Sequence, residues 1–137
     1  MLRKDGKMEL IRQVPLFSEC SKRELGAIAT LTTLIDMPAG QRLVTEGERG
    51  REFMVLVDGA VDVRRGNRKL ASLGSGDFFG EIALISDGPR TASVTATSPV
   101  RLLVLTRSAF RSLMDEMPSI QIKVLRALAE RLRPTAV

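Results

Sequence analysis

The spacing of apolar and polar residues predicts helices at the start of the chain. Residues 8–14 form a short helical pattern that Pro15 stops, because proline cannot continue a helix. Ser21 and Glu24 predict the beginning of a second helix, since a serine and a glutamate three residues later can cap two free backbone N–H groups. Apolar residues at helical spacing then follow: Leu25, Ile28 and Ala29.

The middle of the chain has the pattern of a β-structure. Short runs of Val, Leu, Ile and Thr are separated by glycine, proline and aspartate, which is typical of a sandwich or barrel. Asp58-Gly59 and Gly66-Asn67 are favourable tight turns, because glycine and asparagine tolerate positive φ. The pattern predicts strands at residues 31–37, 41–45, 52–58, 60–65, 68–73, 91–96 and 100–105.

Helical spacing returns after Thr106 and predicts two more helices. The second begins at Pro118, where a missing N–H costs nothing, and ends at Pro134. Apolar stripes on helices usually face a core, so we expect both stripes to be buried. A dimer seam or a lid over a ligand is the alternative for the last helix. The first stripe contains Phe110, Leu113, Met114 and Met117, and the second contains Ile122, Leu125, Ala129 and Leu132.

The chain contains no histidine. It therefore lacks the commonest general base and the commonest metal ligand. A Ser-His-Asp triad and a histidine-ligated metal site are excluded, and we expect neither an enzyme nor a metal cofactor. The single cysteine, Cys20, has no histidine to activate it, so it is expected to act as a half-buried apolar residue.

Charge and hydropathy restrict the classes of partner. The net charge of +5 and pI of about 10.1 are compatible with nucleic-acid binding. The basic residues are scattered and no aromatic residues lie between them, so a base-stacking platform is disfavoured. The sequence shows neither an apolar run long enough to span a membrane nor a secretory signal. We expect a cytoplasmic protein with no membrane contact.

Candidate chemistry is concentrated in residues 78–94. Gly80 allows backbone to approach a ligand closely, and residues 82–85 can form one helical turn whose N–H groups point at an anion. Arg90 offers a planar fork of donors to phosphate oxygens, while the Glu81 carboxylate can accept a hydrogen bond from a sugar hydroxyl. The set fits a sugar phosphate. Taken alone, a glutamate and an arginine in a turn-rich region usually form a surface ion pair.

The full pattern decides between these interpretations. Gly80-Glu81-Ile82-Ala83-Leu84, followed by Pro89-Arg90-Thr91-Ala92-Ser93-Val94, resembles the phosphate-binding cassette of cyclic nucleotide-binding domains. That family includes the catabolite activator protein and the regulatory subunits of cAMP-dependent protein kinase. The resemblance implies a mainly β fold with flanking helices. This is an eight-stranded jelly-roll-like β-roll with N-terminal helices and two C-terminal helices. Residues 1–137 would form one domain: helices at 7–30, the β-roll at 31–106 and C-terminal helices at 107–133.

The resemblance also assigns roles to individual residues. Arg90 would pair with the cyclic phosphate, and Glu81 would accept the ribose 2′-hydroxyl. Thr91 and Ala92 would offer backbone amides to the phosphate, and the Thr91 hydroxyl leaves cGMP open beside cAMP as the ligand. Backbone groups of Gly80, Ile82 and Ala83 would line the sugar-phosphate. Four apolar residues are either base contacts or ordinary core: Val44, Val55, Leu70 and Leu73.

The implied function is a cyclic nucleotide receptor that signals to an effector protein through movement of its last helix. The family's transcription regulators continue into a helix-turn-helix after that helix, and this pattern does not follow Pro134. We therefore expect no nucleic-acid binding by this chain alone, and a homodimer through the last helix is an option. The alternatives are the excised sensor domain of a longer transcription regulator, channel or enzyme, and a member that keeps the fold without binding nucleotide.

Overall fold

The computed structural model describes residues 4–80 and 88–132. The α-helices are α1 (Lys4–Gln13), α2 (Lys22–Leu31), α3 (Arg107–Glu116) and α4 (Pro118–Leu132), and Pro15–Phe17 forms a 3-10 turn. The strands are β1 (Thr33–Met37), β2 (Arg42–Val44), β3 (Glu52–Asp58), β4 (Val61–Arg65), β5 (Arg68–Leu73), β6 (Phe78–Phe79), β7 (Ser93–Ala96) and β8 (Val100–Thr106). None of the described helices is both long and apolar enough to cross a membrane.

The described strands form two four-stranded antiparallel sheets. The first sheet has the order β1-β8-β3-β6, and the second has the order β2-β7-β4-β5. Except for the β4–β5 hairpin, consecutive strands lie in different sheets, as in a jelly-roll-like β-roll, and helices flank the strands at both ends of the sequence. The predicted eight-stranded β-roll with N-terminal and C-terminal helices is confirmed.

The first sheet is covered on both faces, which explains why β3 and β8 are almost continuously apolar. Phe53 and Leu103 point to one face and pack against the helices, in a cluster with Phe17 and Ile28. Their neighbours Met54, Leu56 and Leu102 point to the other face and pack against residues of the second sheet, including Val61 and Val94. The β-roll therefore has a helix-facing core and an inner core between its sheets.

The capping box predicted at the start of α2 is present. The Ser21 hydroxyl accepts a hydrogen bond from the Glu24 N–H at 3.1 Å, and the Glu24 carboxylate accepts one from the Ser21 N–H at 2.8 Å. These bonds satisfy donors that a helix leaves free at its first turn. The N–H of Ser21 also contributes most to lowering the pKa of Glu24 from its ordinary value.

Strand β6 was missed by the sequence pattern. It has two residues, Phe78 and Phe79, both buried, and it pairs with Met54 and Val55 of β3. A two-residue strand is too short to show an alternation of period two. Strand β1 begins later than predicted, at Thr33, because α2 continues to Leu31.

The prediction that the apolar stripe of α4 faces the core was wrong. Among the side chains of this helix that the structure describes, Ile120 and Val124 are buried, whereas Ile122 and Leu125 are 52% and 64% exposed. Each residue advances about 100° around a helix, so Ile122 lies nearly opposite Ile120. The predicted end at Pro134 lies outside the described residues. On α3 the prediction is confirmed, since Phe110 and Leu113 are buried.

Candidate functional site

Arg90 is a buried charged residue of the β-roll, with only 8% of its surface exposed. Its Nη1 donates to the Gly80 carbonyl at 3.0 Å, and its Nη2 donates to the Glu52 carbonyl at 2.8 Å. Burying a charge is costly unless hydrogen bonds compensate. Carbonyl oxygens provide such bonds and carry no net charge, so these two contacts orient the guanidinium without cancelling its charge.

The backbone of Arg90 is fixed by the loop that precedes β3. The Arg90 N–H donates to the Glu48 carbonyl at 2.8 Å, and the Gly47 N–H donates to the Arg90 carbonyl at 2.9 Å. A further antiparallel bridge joins Arg49 and Pro89. Arg90 is therefore held at both its backbone and its side chain by residues 47–52.

Gly80 fits this site because it has no side chain. Its φ is +94°, which residues with a Cβ rarely adopt. A Cβ at this position would lie 2.7 Å from Nη1 of Arg90 and 2.7 Å from the Glu52 carbonyl oxygen. The three groups thus form a close-packed unit that no larger residue can enter without displacing one of them.

The segment after Arg90 is anchored at the tip of the β4–β5 hairpin. Arg65 Nε donates to the Thr91 carbonyl at 2.9 Å. The Glu46 N–H donates to the Ser93 hydroxyl at 3.0 Å, and the Glu46 carboxylate accepts from the Gly66 N–H at 2.8 Å. The sequence did not predict these contacts of Arg65, Glu46 and Ser93, because no local pattern links the three segments.

The structure brings some of the predicted residues together. Gly80 and Arg90 are in contact, and Thr91 and Ala92 continue from Arg90 toward β7, with Thr91 exposed. The predicted helical turn at 82–85 lies outside the described residues, as do Glu81, Ile82 and Ala83.

The four apolar residues predicted to be either base contacts or ordinary core differ in their surroundings. Val55 is fully buried in the helix-facing core, and Val44 is buried in the inner core. Leu73 is half-buried against the inner core, while Leu70 is 42% exposed. Val55 therefore functions as ordinary core.

Other reactive groups are few among the described residues. Cys20 is buried, and burial raises the pKa of its thiol, which disfavours the nucleophilic thiolate. Its sulfur lies 3.9 Å from Nζ of Lys123 on α4. Within 4–80 and 88–132, no cluster of acidic residues or cysteine is arranged to hold a metal ion.

The arrangement around Arg90 agrees with a match to a known family. The sequence model of the family described as "Cyclic nucleotide-binding domain" matches residues 34–117, which include Gly80 and Arg90. The chain belongs to this family. The resemblance of residues 80–94 to the cassette of cyclic nucleotide-binding domains is thereby supported by a match that extends well beyond the cassette.

Similar proteins in the cyclic nucleotide-binding family are regulators. The chain is 32% identical to the CRP-like cAMP-activated global transcriptional regulator of Mycobacterium tuberculosis, covering 93% of this chain and 59% of the regulator. The catabolite activator protein of Thermus thermophilus superposes with a TM-score of 0.80 at 29% identity, over 88% of this chain and 59% of that chain. The regulatory domain of Toxoplasma gondii PKA, solved with cAMP, superposes with a TM-score of 0.81 at 25% identity, over 93% of this chain and 50% of that chain. The chain thus spans between 50% and 59% of the length of these three proteins.

Proposed function

We propose that this chain is a receptor module for cAMP that passes a conformational signal to a partner protein. The observation that carries the proposal is the buried Arg90 guanidinium, oriented by the Gly80 and Glu52 carbonyls. A cyclic phosphate diester carries one negative charge, so one buried arginine can neutralise it. The planar fork of donors matches two phosphate oxygens at once.

The remaining predicted residues complete the pocket in this proposal. Thr91 and Ala92 present backbone amides to the phosphate, from a segment that Arg65 holds through the Thr91 carbonyl. Glu81 accepts the ribose 2′-hydroxyl. Gly80, Ile82 and Ala83 line the sugar-phosphate with backbone groups, where the absence of a side chain at Gly80 lets the chain pass beside Arg90.

The choice of cAMP as principal ligand follows the relatives. The mycobacterial regulator is described as cAMP-activated, and the Toxoplasma regulatory domain was solved with cAMP. We include cGMP as a second ligand, because the exposed Thr91 hydroxyl beside Arg90 can accept a hydrogen bond from the guanine amino group.

Calorimetric titration with cAMP and cGMP tests the proposal. A desolvated, charge-assisted bidentate contact is worth about 2–4 kcal/mol, so Arg90→Ala should weaken cAMP binding by about 30- to 1000-fold. Arg90→Lys should restore only part of the affinity, because an ammonium lacks the fork. Arg101→Ala is the matched control, since Arg101 pairs with Asp36 on the first sheet. Equal cAMP affinity in folded Arg90→Ala and Arg101→Ala would refute the proposal.

We propose that α4 transmits the signal. Lys123 and Arg126 of α4 line a cleft of about 510 Å³, and residues 75–78, which lead directly to Gly80, form its other side. A ligand that moves the segment at Gly80 would change the packing in this cleft. Binding shifts α4 only if the nucleotide binds one arrangement more tightly than the other.

Amide hydrogen exchange tests this coupling. Exchange in α4 and in residues 80–86 should change when cAMP is added to the wild type. Arg90→Ala at the same cAMP concentration is the control and should show no change. Unchanged exchange in α4 of the cAMP-saturated wild type would leave a passive binder rather than a switch.

The exposed apolar stripe of α4 favours a second copy of the chain as one partner. Ile122 and Leu125 are exposed, and Ala129 follows four residues later. Alternating steps of three and four residues are the seam spacing of paired helices. Sedimentation velocity should show a dimer for the wild type and a monomer for Leu125→Gln, with Arg111→Gln on α3 as an exposed control away from the stripe. A monomeric wild type at high concentration would exclude the homodimer.

A further inference from the structure

A cavity of about 690 Å³ lies on the inner face of the first sheet, where β1 begins and β8 ends. Its apolar lining comes from Leu31, Ile35 and Val104, of which the last two pack on the inner core. Volumes of about 300–1,000 Å³ are typical of small-molecule sites. The cavity is therefore large enough for an organic ligand.

The rim of the cavity is cationic. Arg49, Arg51 and Arg107 line it together with a single acidic residue, Glu52. The arginines come from two separate segments, the loop before β3 and the first turn of α3, which are joined by a hydrogen bond of 2.7 Å from the Arg107 N–H to the Arg51 carbonyl. A low-dielectric wall beside clustered positive charge raises the local concentration of anions.

The backbone that carries these side chains is fixed. Arg49 is bridged to Pro89, and the carbonyls on either side of the segment, those of Glu48 and Glu52, accept hydrogen bonds from Arg90. Two carbonyls of this segment thus accept from Arg90 and that of Arg51 accepts from Arg107, while the side chains of Arg49 and Arg51 line the cavity. The two sites share this segment and use different arginine side chains.

We propose that this cavity binds an organic anion with an apolar body. A carboxylate or phosphate head pairs with Arg49, Arg51 and Arg107, since guanidinium groups match the oxygens of both. A hydrocarbon body covers Leu31, Ile35 and Val104. The site is additional to the nucleotide pocket and uses other side chains, while Arg90 holds the backbone of the segment that carries Arg49 and Arg51.

Titration of the full chain with short alkyl anions tests the proposal in the absence of nucleotide. Octanoate and octyl phosphate, below their micelle concentrations, are the probes for the two head groups, and methyl NMR of Leu31, Ile35 and Val104 reports the location. At least one probe should bind saturably and shift these three methyl signals. Arg49→Gln combined with Arg51→Gln should weaken it by about 10-fold or more, since charge-assisted hydrogen bonds are lost.

The controls distinguish binding in this cavity from general attraction of anions to a basic surface and from binding in the nucleotide pocket. Arg64→Gln combined with Arg68→Gln removes the same charge from the β4–β5 hairpin and should leave probe affinity unchanged. An excess of cAMP should not displace the probe, because the two sites use different side chains. Binding of 1-octanol or inorganic phosphate as tight as that of the octyl anions would overturn the proposal. So would unchanged affinity in the Arg49/Arg51 variant, or the absence of saturable binding by either probe.

Discussion

Replacing Gly80 with alanine puts a methyl group between the Arg90 guanidinium and the Glu52 carbonyl. The new Cβ would lie 2.7 Å from each of the two groups, well inside van der Waals contact. The backbone would also hold alanine at a φ of +94°, which costs about 1–2 kcal/mol. The structure can relieve the clash only by displacing the guanidinium from one or both of its carbonyl partners.

The cost of that displacement follows from the hydrogen bonds. Losing a bond to a charged group costs about 1.5–3 kcal/mol. Gly80→Ala should therefore reduce the free energy of unfolding by about 2.5–5 kcal/mol, from strain and one lost bond. Gly40→Ala is the matched control. Gly40 has a φ of +88°, and a methyl group there would meet no atom within 4 Å, so only the strain of about 1–2 kcal/mol applies.

Urea denaturation of both variants measures the difference, and cAMP titration measures its effect on the site. We expect Gly80→Ala to lose about 1.5–3 kcal/mol more than Gly40→Ala, and to bind cAMP at least about tenfold more weakly. Gly40→Ala should bind cAMP like the wild type. Equal stability losses in the two variants would show that the contact between Gly80 and Arg90 does not hold the guanidinium in place.

Two further predictions concern ligand choice and pH. Thr91→Ala should weaken cGMP binding by about 2- to 12-fold, the value of one neutral hydrogen bond, and leave cAMP nearly unchanged in parallel titrations; equal losses would place base selection elsewhere. The Ser21 N–H lowers the pKa of Glu24 in the folded chain. The stabilisation from this carboxylate is therefore complete above the ordinary glutamate pKa of about 4.3, and it is lost as the pH falls through the lower pKa of the folded chain. Glu24→Gln should therefore lose less stability than the wild type between neutral and strongly acidic pH in urea denaturation, and a parallel loss in both proteins would contradict this.

The sequence predicted most reliably those elements whose signals are local. Strands β3 and β5 have the predicted bounds, because each is a run with turn residues at both ends. The stripe on α4 was misplaced because apolar spacing identifies a face of the helix but not whether that face contacts the rest of the protein. The buried residues Ile120 and Val124 lie on a different face.

The same distinction applies to the site. Gly80 and Arg90 are compatible with phosphate chemistry from their own properties, and the resemblance of residues 80–94 to the cassette decided in its favour. The carbonyl of Glu52, which orients the Arg90 guanidinium, lies 38 positions away in sequence. Arg65 of β4 likewise reaches the Thr91 carbonyl, just before the paired strand β7 and 26 positions away in sequence. These hydrogen-bond partners are distant in sequence and are brought together by the folding of the strands, so they cannot be predicted from periodicity along the chain.

A crystal structure of the chain with bound cAMP would show whether Arg90 binds the cyclic phosphate. We expect phosphate oxygens at about 2.7–2.9 Å from the nitrogens of the Arg90 guanidinium, the range of charge-assisted hydrogen bonds. The carbonyls of Gly80 and Glu52 should still accept from the same guanidinium. A cAMP phosphate bound away from Arg90, for example against Arg49, Arg51 and Arg107, would refute Arg90 as the phosphate-binding residue.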